Sequence, residues 1–374
     1  MKILMIGTDK KIFEDGSEAR QRMIEYGRLA EQLYIIVFTK RIKNLQRIAL
    51  SENTFLYPTN SFSRWCYIFD AVKIAKKIIE NSGGKFLITS QDPFEIGLAG
   101  WLVARKFKIP LQLQIHTDFL NSYFRQESFL NKIRVRLAKF LISRAACVRV
   151  VSERIKSLLN SNPPAGGQIL NSKISVLPIF IDAEKIKNAP LKTDLRRKYP
   201  QFDFIILTAS RLTAEKNIGL AVEAMAEVIK DYPKIGLIIA GNGPEKENLE
   251  SKISNLKINE NIIIEDWADD LASYYKTADL FLLTSNYEGY GRTLIEAAVS
   301  GCRVISSDVG VADEILPKEN IFEVGNKEQL KEKILKAVRG ELKMPNTGYL
   351  AKMPTKEEYL RAYKKLWEDC GKTL

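Results

Sequence analysis

The 374-residue chain, with 45% hydrophobic and 27% charged residues, has the length of two ordinary domains, each large enough to bury a core without covalent staples. No apolar run reaches the roughly 18 residues of a membrane-spanning helix, so a helical span is excluded and a soluble protein is expected. The formal net charge of +12 is uneven: residues 1–200 hold 34 Lys and Arg against 17 Asp and Glu, whereas residues 201–374 hold 23 against 28. The basic half is expected to face an anionic partner.

Residues 1–7 read as a first strand rather than an export signal, because their apolar run is short and leads straight into Thr8-Asp9-Lys10-Lys11. Apolar runs of strand length then alternate with helical periods. Strands are predicted at 2–6, 34–39, 86–90, 111–115 and 147–151, with helices at 18–33 and 69–80, the pattern of a parallel α/β sheet. A polar, basic segment over 182–200 interrupts the alternation. Further strands are predicted at 204–209, 236–240, 261–265, 280–284 and 303–306. The expected fold class is therefore α/β with two domains, 1–185 and 186–353, joined near 178–190. Residues 162–167 are a second candidate boundary, but a strand-like 174–177 after them closes the first domain. Residues 354–374 are expected to form a helix that packs back across the hinge. Cys66, Cys147, Cys302 and Cys370 show no metal-ligand spacing and are expected to be reduced, structural and cytosolic.

In open parallel sheets, ligands bind at the carboxyl ends of strands, against helix N-termini whose N–H groups suit phosphate. The first such loop, 7–17, lacks G-x-G-x-x-G, so a nicotinamide or flavin fingerprint is missing. There Gly16 would let backbone approach a ligand and Ser17 would cap a helix, or the segment is an ordinary capped loop. Asp92 and Pro93 read as an N-cap and a first helical position. His116, the only histidine, ends a predicted strand with Asp118 two residues on. Lone histidines are often structural, but this one sits at a strand exit, and the functional reading is favoured. Arg211 and Lys216, at the entrance to a helix, suit a diphosphate that gains charge as it leaves; pairing of these cations with Glu215 at the surface is the alternative. Gly241 to Pro244 reads as a turn. Residues 285–291 form a loop before a helix over 292–300, with Glu288 in the loop and Glu296 in the helix.

This ordered set, Arg211 with Lys216, Glu288-Gly289-Tyr290-Gly291, Glu288 and Glu296 as an E-x7-E, and His116, resembles the retaining family 4 (group 1) glycosyltransferases. The resemblance is densest from Ala209 to Leu316. It implies the GT-B fold, two facing Rossmann-like domains around a cleft, and a nucleotide-diphosphate sugar, UDP- or GDP-linked, as co-substrate. It further implies Arg211 and Lys216 on the diphosphate, the backbone of Gly289, Tyr290 and Gly291 near sugar and phosphate, Glu288 on the transferred sugar, and Glu296 on the ribose. Trp267, in Glu265-Asp266-Trp267, falls where the family contacts the base. His116 would face the sugar from the N-terminal domain beside the acceptor, with Asp118. The chain departs from the family at Gly16-Ser17 and Gly310-Val311, where Gly-Gly is frequent. Arg292 either adds a phosphate contact or faces solvent.

On one helix the two glutamates would stand roughly 12 Å apart, beyond the about 5–9.5 Å of paired glycosidase carboxylates. The resemblance implies front-face retaining transfer. No Asp-x-Asp occurs, and no obligatory metal or cofactor is expected. Residues 129–144 read as a basic amphipathic helix, with Leu130, Ile133, Leu137 and Phe140 on one face and Lys132, Arg136 and Lys139 on another; it either rests on anionic lipid or packs on the core. The function expected is hexosyl transfer to a glycan or lipid-linked acceptor in polysaccharide or glycolipid assembly, cytoplasmic or peripheral at an anionic membrane face. The alternatives are a sugar-nucleotide epimerase of the same fold and a non-catalytic polyanion-binding protein. The basic half lacks a nucleic-acid module, so no nucleic-acid partner is expected.

Overall fold

A computed structural model describes residues 1–41, 45–162 and 173–373, which leaves residues 163–167 of the second candidate boundary outside the described residues. The chain forms two compact units, Met1–Pro178 with Lys356–Leu374, and Ile179–Thr355.

Unit 1 contains β1 (Lys2–Gly7), β2 (Leu33–Val37), β3 (Ile48–Ser51), β4 (Thr54–Pro58), β5 (Phe86–Ser90), β6 (Leu111–Ile115), β7 (Cys147–Val150) and β8 (Ile174–Val176). Their order is β3-β4-β2-β1-β5-β6-β7-β8. Every pairing is parallel except the β3–β4 hairpin, whose short, half-exposed strands lack the continuous apolar signal of the central ones. β1 and β2 are buried almost throughout, as strands covered on both faces must be. The chain runs outward from β1 to β2 on one side and from β5 to β8 on the other, so the direction reverses between β1 and β5.

Helix Glu18–Gly27 is capped by Ser17, whose side chain accepts from the Arg20 amide. It stops six residues short of the predicted 18–33 span, and Gly27 packs where a Cβ would lie 1.9 Å from Thr54 Oγ1. Helix Glu95–Phe107 begins after Phe94, two residues later than Asp92 and Pro93 suggest. Asp92 instead accepts from the Phe94 amide in a local turn, and burial, reinforced by Glu95, lifts its carboxyl to about 6.

Helices Tyr67–Ser82, Glu95–Phe107 and Phe129–Ile142 pack side by side. In the last of these, Asn131, Val135, Ala138, Leu141 and Ile142 turn inward, while Leu130, Ile133 and Phe140 of the sequence-derived apolar face are exposed. The helix packs on its neighbour as the core reading has it, but on another face, with small Ala138 and β-branched Val135 forming the inward stripe.

The C-terminal helix, Lys356–Gly371, packs on β5 and β6 and buries Tyr359, Tyr363, Trp367 and Cys370. Tyr26 stacks on Tyr363 at 4.4 Å between centroids, and Trp367 meets Tyr363 edge-on at 5.0 Å. This helix brings Cys370 to Cys147 as a disulfide with Cα atoms 5.7 Å apart. The expectation that all four cysteines are reduced is thus corrected for this pair: 223 residues of separation hide a proximity that only the returning helix creates.

Unit 2 contains β9 (Phe204–Ala209), β10 (Ile235–Ala240), β11 (Ile262–Glu265), β12 (Leu280–Leu283), β13 (Arg303–Ser307) and β14 (Ile321–Phe322). All pair in parallel, in the order β11-β10-β9-β12-β13-β14. Helix Ile218–Val228 buries Leu220, Ala221, Val222, Ala224, Met225 and Val228 against this sheet. Here the direction of winding reverses between β9 and β12.

Burial of an aromatic the size of Trp367 predicts that Trp367→Ala lowers stability by about 3–5 kcal/mol, read as a shift of the urea midpoint at unchanged slope. An unshifted midpoint would show that the C-terminal helix is not an integral part of unit 1.

Candidate functional site

The carboxyl ends of five neighbouring strands in unit 2 carry the candidate loops. The turn after β10 lies against the loop after β9: a Cβ on Gly241 would sit 1.9 Å from Ser210 O, and one on Gly243 would sit 2.2 Å from Leu212 O. Backbone bonds close this seam, from Leu212 N to Asn242 O at 2.9 Å and from Glu245 N to Leu212 O at 3.0 Å. Only glycine fits there, so this turn does more than reverse the chain: it holds the Arg211 loop.

At the β9/β12 reversal, Lys216 Nζ donates to Glu288 Oε1 at 2.5 Å, and Ser285 Oγ donates to the same oxygen at 2.9 Å. Both ionic side chains are 14% exposed. The two loops are stitched by Thr284 Oγ1 to Lys216 O at 3.0 Å, Asn286 N to Glu215 O at 2.8 Å, and Asn217 Nδ2 to Asn286 Oδ1 at 3.0 Å. Asn217 takes a left-handed conformation to start the helix that follows, without a side-chain cap. Arg211 donates to Glu215 Oε1 at 3.1 Å, as the surface alternative foresaw, yet its side chain stays 73% exposed. A five-donor guanidinium held, among the described residues, by one contact retains donors for an anion.

Helix Arg292–Val299 starts at Gly291, in the left-handed region at φ +93° and without a side-chain cap, so its positive end adjoins the loop. One turn in, Glu296 accepts from Arg292 Nε at 2.6 Å and from Tyr275 OH at 3.3 Å. Glu288 and Glu296 thus each accept from their own cation, Lys216 and Arg292. Burial first, then the Glu296 charge, holds the Tyr275 phenol well above its ordinary range. Sequence reasoning missed Tyr275, because an aromatic in an amphipathic helix reads as core.

Gly310, at φ +57°, supports the glutamate loop: a Cβ there would lie 2.4 Å from Tyr290 O and 3.2 Å from Glu288 Cβ. Val311 N donates to Tyr290 O at 3.0 Å, and Tyr290 itself is buried. At the end of β11, Glu265 is occupied by Lys198 at 2.7 Å, Tyr274 at 2.5 Å and Tyr199, while Asp266 accepts from Lys246 at 3.3 Å. Trp267 alone of that triplet presents an exposed apolar surface.

In unit 1, Gly16 takes φ +75° with open space around its Cβ position, so backbone conformation rather than crowding demands glycine. His116 follows β6, half-buried, with Nε2 3.2 Å from Gln114 Oε1. Burial, then the Arg149 and Arg22 guanidinia, push its imidazole down to about 3. Asp118 is buried, which raises its carboxyl above the ordinary range.

Gly310→Ala adds a methyl group against the Tyr290 carbonyl in a strained backbone region. Affinity for a nucleoside diphosphate, measured by calorimetry, is expected to fall at least about tenfold, with far-UV circular dichroism unchanged. Unchanged affinity would separate Gly310 from the site.

The family described as glycosyl transferases group 1 matches residues 192–369. The alpha-monoglucosyldiacylglycerol synthase of Streptococcus pneumoniae is 29% identical over 278 residues, 71% of this chain; the match spans 58% of that relative's own length. Among solved structures, the sucrose-phosphate synthase of Thermosynechococcus elongatus aligns with a TM-score of 0.75 at 18% identity, over 99% of this chain and 95% of that one. Anabaena Alr3699/HepE, in complex with UDP-glucose, aligns with a TM-score of 0.70 at 17% identity, over 100% and 99%. At these identities the structural likeness establishes a shared fold, the GT-B arrangement. With matching sequence running from the linker to the last helix, residues 192–369 belong to the group 1 glycosyl transferases.

Proposed function

We propose that this protein transfers a hexose, with retention, from a nucleoside-diphosphate sugar to a glycan or lipid-linked acceptor. The observation that carries this reading is the Lys216–Glu288 contact at the β9/β12 reversal, the place where parallel sheets bind phosphorylated ligands. Lys216 and the exposed Arg211 would bind the diphosphate and stabilise the charge it gains as the glycosidic bond breaks. The start of helix Arg292–Val299 adds its dipole. Glu288, released from Lys216 as the anion binds, would take a sugar hydroxyl, while Glu296, held by Arg292 and Tyr275, would accept from the ribose. Trp267 offers a ring for the base. The bound UDP-glucose of Anabaena HepE supports uracil as that base. His116, Asp118 and Gly16 are read as unit 1 contributions, the first two on the acceptor side.

A lipid-linked acceptor is supported by the glycolipid synthase relative and by the surface of unit 1. Phe62, Trp65 and Phe69 are 87%, 88% and 74% exposed beside Arg64 and Lys73, and helix Phe129–Ile142 exposes Phe129, Leu130, Ile133 and Phe140 among Lys132, Arg136 and Lys139. Aromatic rings interleaved with cations suit an anionic bilayer, where each Lys or Arg near the surface contributes about 1 kcal/mol.

Lys216→Ala and Glu288→Ala are each expected to lower the rate of acceptor-dependent UDP release by about 10²–10³ with the fold intact. Full turnover in both purified variants would overturn the site, and nucleotide-sugar turnover without acceptor would favour an epimerase. In co-sedimentation with phosphatidylglycerol vesicles, Phe62→Ser/Trp65→Ser/Phe69→Ser is expected to reduce binding at least about tenfold, and raised salt to weaken it. Equal binding of wild type to uncharged vesicles would overturn the anionic-surface reading.

A further inference from the structure

His116 is reached by a polar seam that runs through the interior of unit 1. Gln112, Gln114 and His116 alternate along β6 and its exit, so all three project to one side of the sheet. β6 pairs with β7 in a register that sets Gln114 beside Arg149. Arg149 is only 3% exposed. Its guanidinium donates to Gln114 Oε1 at 2.8 Å, Leu177 O at 3.2 Å, Pro178 O at 3.0 Å and Tyr359 OH at 3.1 Å, and lies 4.9 Å from the centre of the Tyr363 ring.

These contacts fix an assignment that the ring of a histidine does not reveal by its shape. A guanidinium can only donate, so the Gln114 atom it touches must be the amide oxygen. The amide nitrogen then donates to Thr89 Oγ1 and Tyr363 OH, both at 2.9 Å. His116 Nε2 faces that same oxygen at 3.2 Å. An amide oxygen only accepts, so Nε2 must carry the hydrogen. The remaining nitrogen, Nδ1, then bears the lone pair whenever the ring is neutral.

We infer that Gln114 and Arg149 are positioning residues that hold His116 as its neutral Nε2–H tautomer, with Nδ1 presented as a hydrogen-bond acceptor for a substrate hydroxyl. The inference deepens the acceptor-side reading of His116 and rests on it for its functional meaning. A proton on Nδ1 would place a second cation beside buried Arg149, with Arg22 also contributing repulsion. The groups supplied by the neighbouring helices are the phenols of Tyr26, Tyr359 and Tyr363. The charged groups that bear on the ring, Arg149 and Arg22, are both cationic. With Nε2–H committed to the Gln114 oxygen, the Nδ1 lone pair orients a hydroxyl by accepting from it. The last partners in this seam come from the C-terminal helix, so its docking completes the site around a residue more than 240 positions earlier in the chain.

Because the chain has a single histidine, two-bond ¹H–¹⁵N spectra of the 374-residue chain report this ring alone. A pyrrole-type Nε2 and a pyridine-type Nδ1, unchanged from pH 5 to pH 8, are expected. An Nδ1–H tautomer, or titration near the ordinary histidine value, overturns the inference without any variant being needed. Gln114→Leu, which removes the amide acceptor, is expected to mix the two tautomers and raise KM for the acceptor about tenfold while leaving KM for the donor unchanged. Gln114→Glu keeps an acceptor but adds an anion, and is expected to move the titration upward. A Gln114→Leu spectrum identical to wild type would remove Gln114 from the role. Full transfer by His116→Ala, with the wild-type tautomer confirmed, would instead overturn the acceptor-side reading and leave the network standing.

Discussion

The parallel pairing of β9 with β12, in which Leu280 and Phe281 lie beside Ile206 and Leu207, is the constraint on which the candidate site depends. β10 and β11 extend the sheet from one side of β9, and β13 and β14 from the other side of β12. Connections therefore leave the two central strands in opposite directions and open a space between their loops. Lys216 and Glu288 come from those two loops and meet across it. Any change that separates the strands would disperse the charges.

Charge is handled differently in the two units. In unit 2 each acidic site residue has an adjacent cation: Lys216 for Glu288 and Arg292 for Glu296. On the proposed function, an incoming anion would compete for cations so paired, and the carboxylates would turn to hydroxyls. In unit 1 the buried Arg149 charge is surrounded by carbonyls, an amide and phenols. Burying a guanidinium is tolerable only when its donors are satisfied, and here the C-terminal helix supplies part of that satisfaction. The same helix ties Cys370 to Cys147 on the strand that carries Arg149. Its aromatic side chains, disulfide and polar contacts form one attachment.

Much of this could be read directly from the sequence. The apolar runs predicted the central strands to within a residue or two, because strands buried on both faces need uninterrupted Val, Ile and Leu. The short edge hairpin β3–β4 carried no such signal. Arg211, Lys216, Glu288 and Glu296 were marked by their positions at strand exits and helix starts. Tyr275 was invisible because its role comes from where Glu296 falls in space. The face of helix Phe129–Ile142 was misjudged because two stripes of comparable apolarity compete along it, and only the neighbouring helix Glu95–Phe107 selects between them. Cys147 and Cys370 gave no hint of pairing, since spacing along a chain does not encode a contact made by a returning terminal helix.

The sequence by itself determined the α/β class, the strand exits and the residue types at them, because hydrophobic period and turn chemistry act over a few residues. Tertiary structure decided which exits adjoin, that Lys216 rather than Arg211 reaches Glu288, that Gly310 supports the glutamate loop, and that Gln114 with Arg149 sets the tautomer of His116. Those outcomes depend on strand order and packing between residues tens to hundreds of positions apart. Local pattern carries no information about such distances until the sheets have formed.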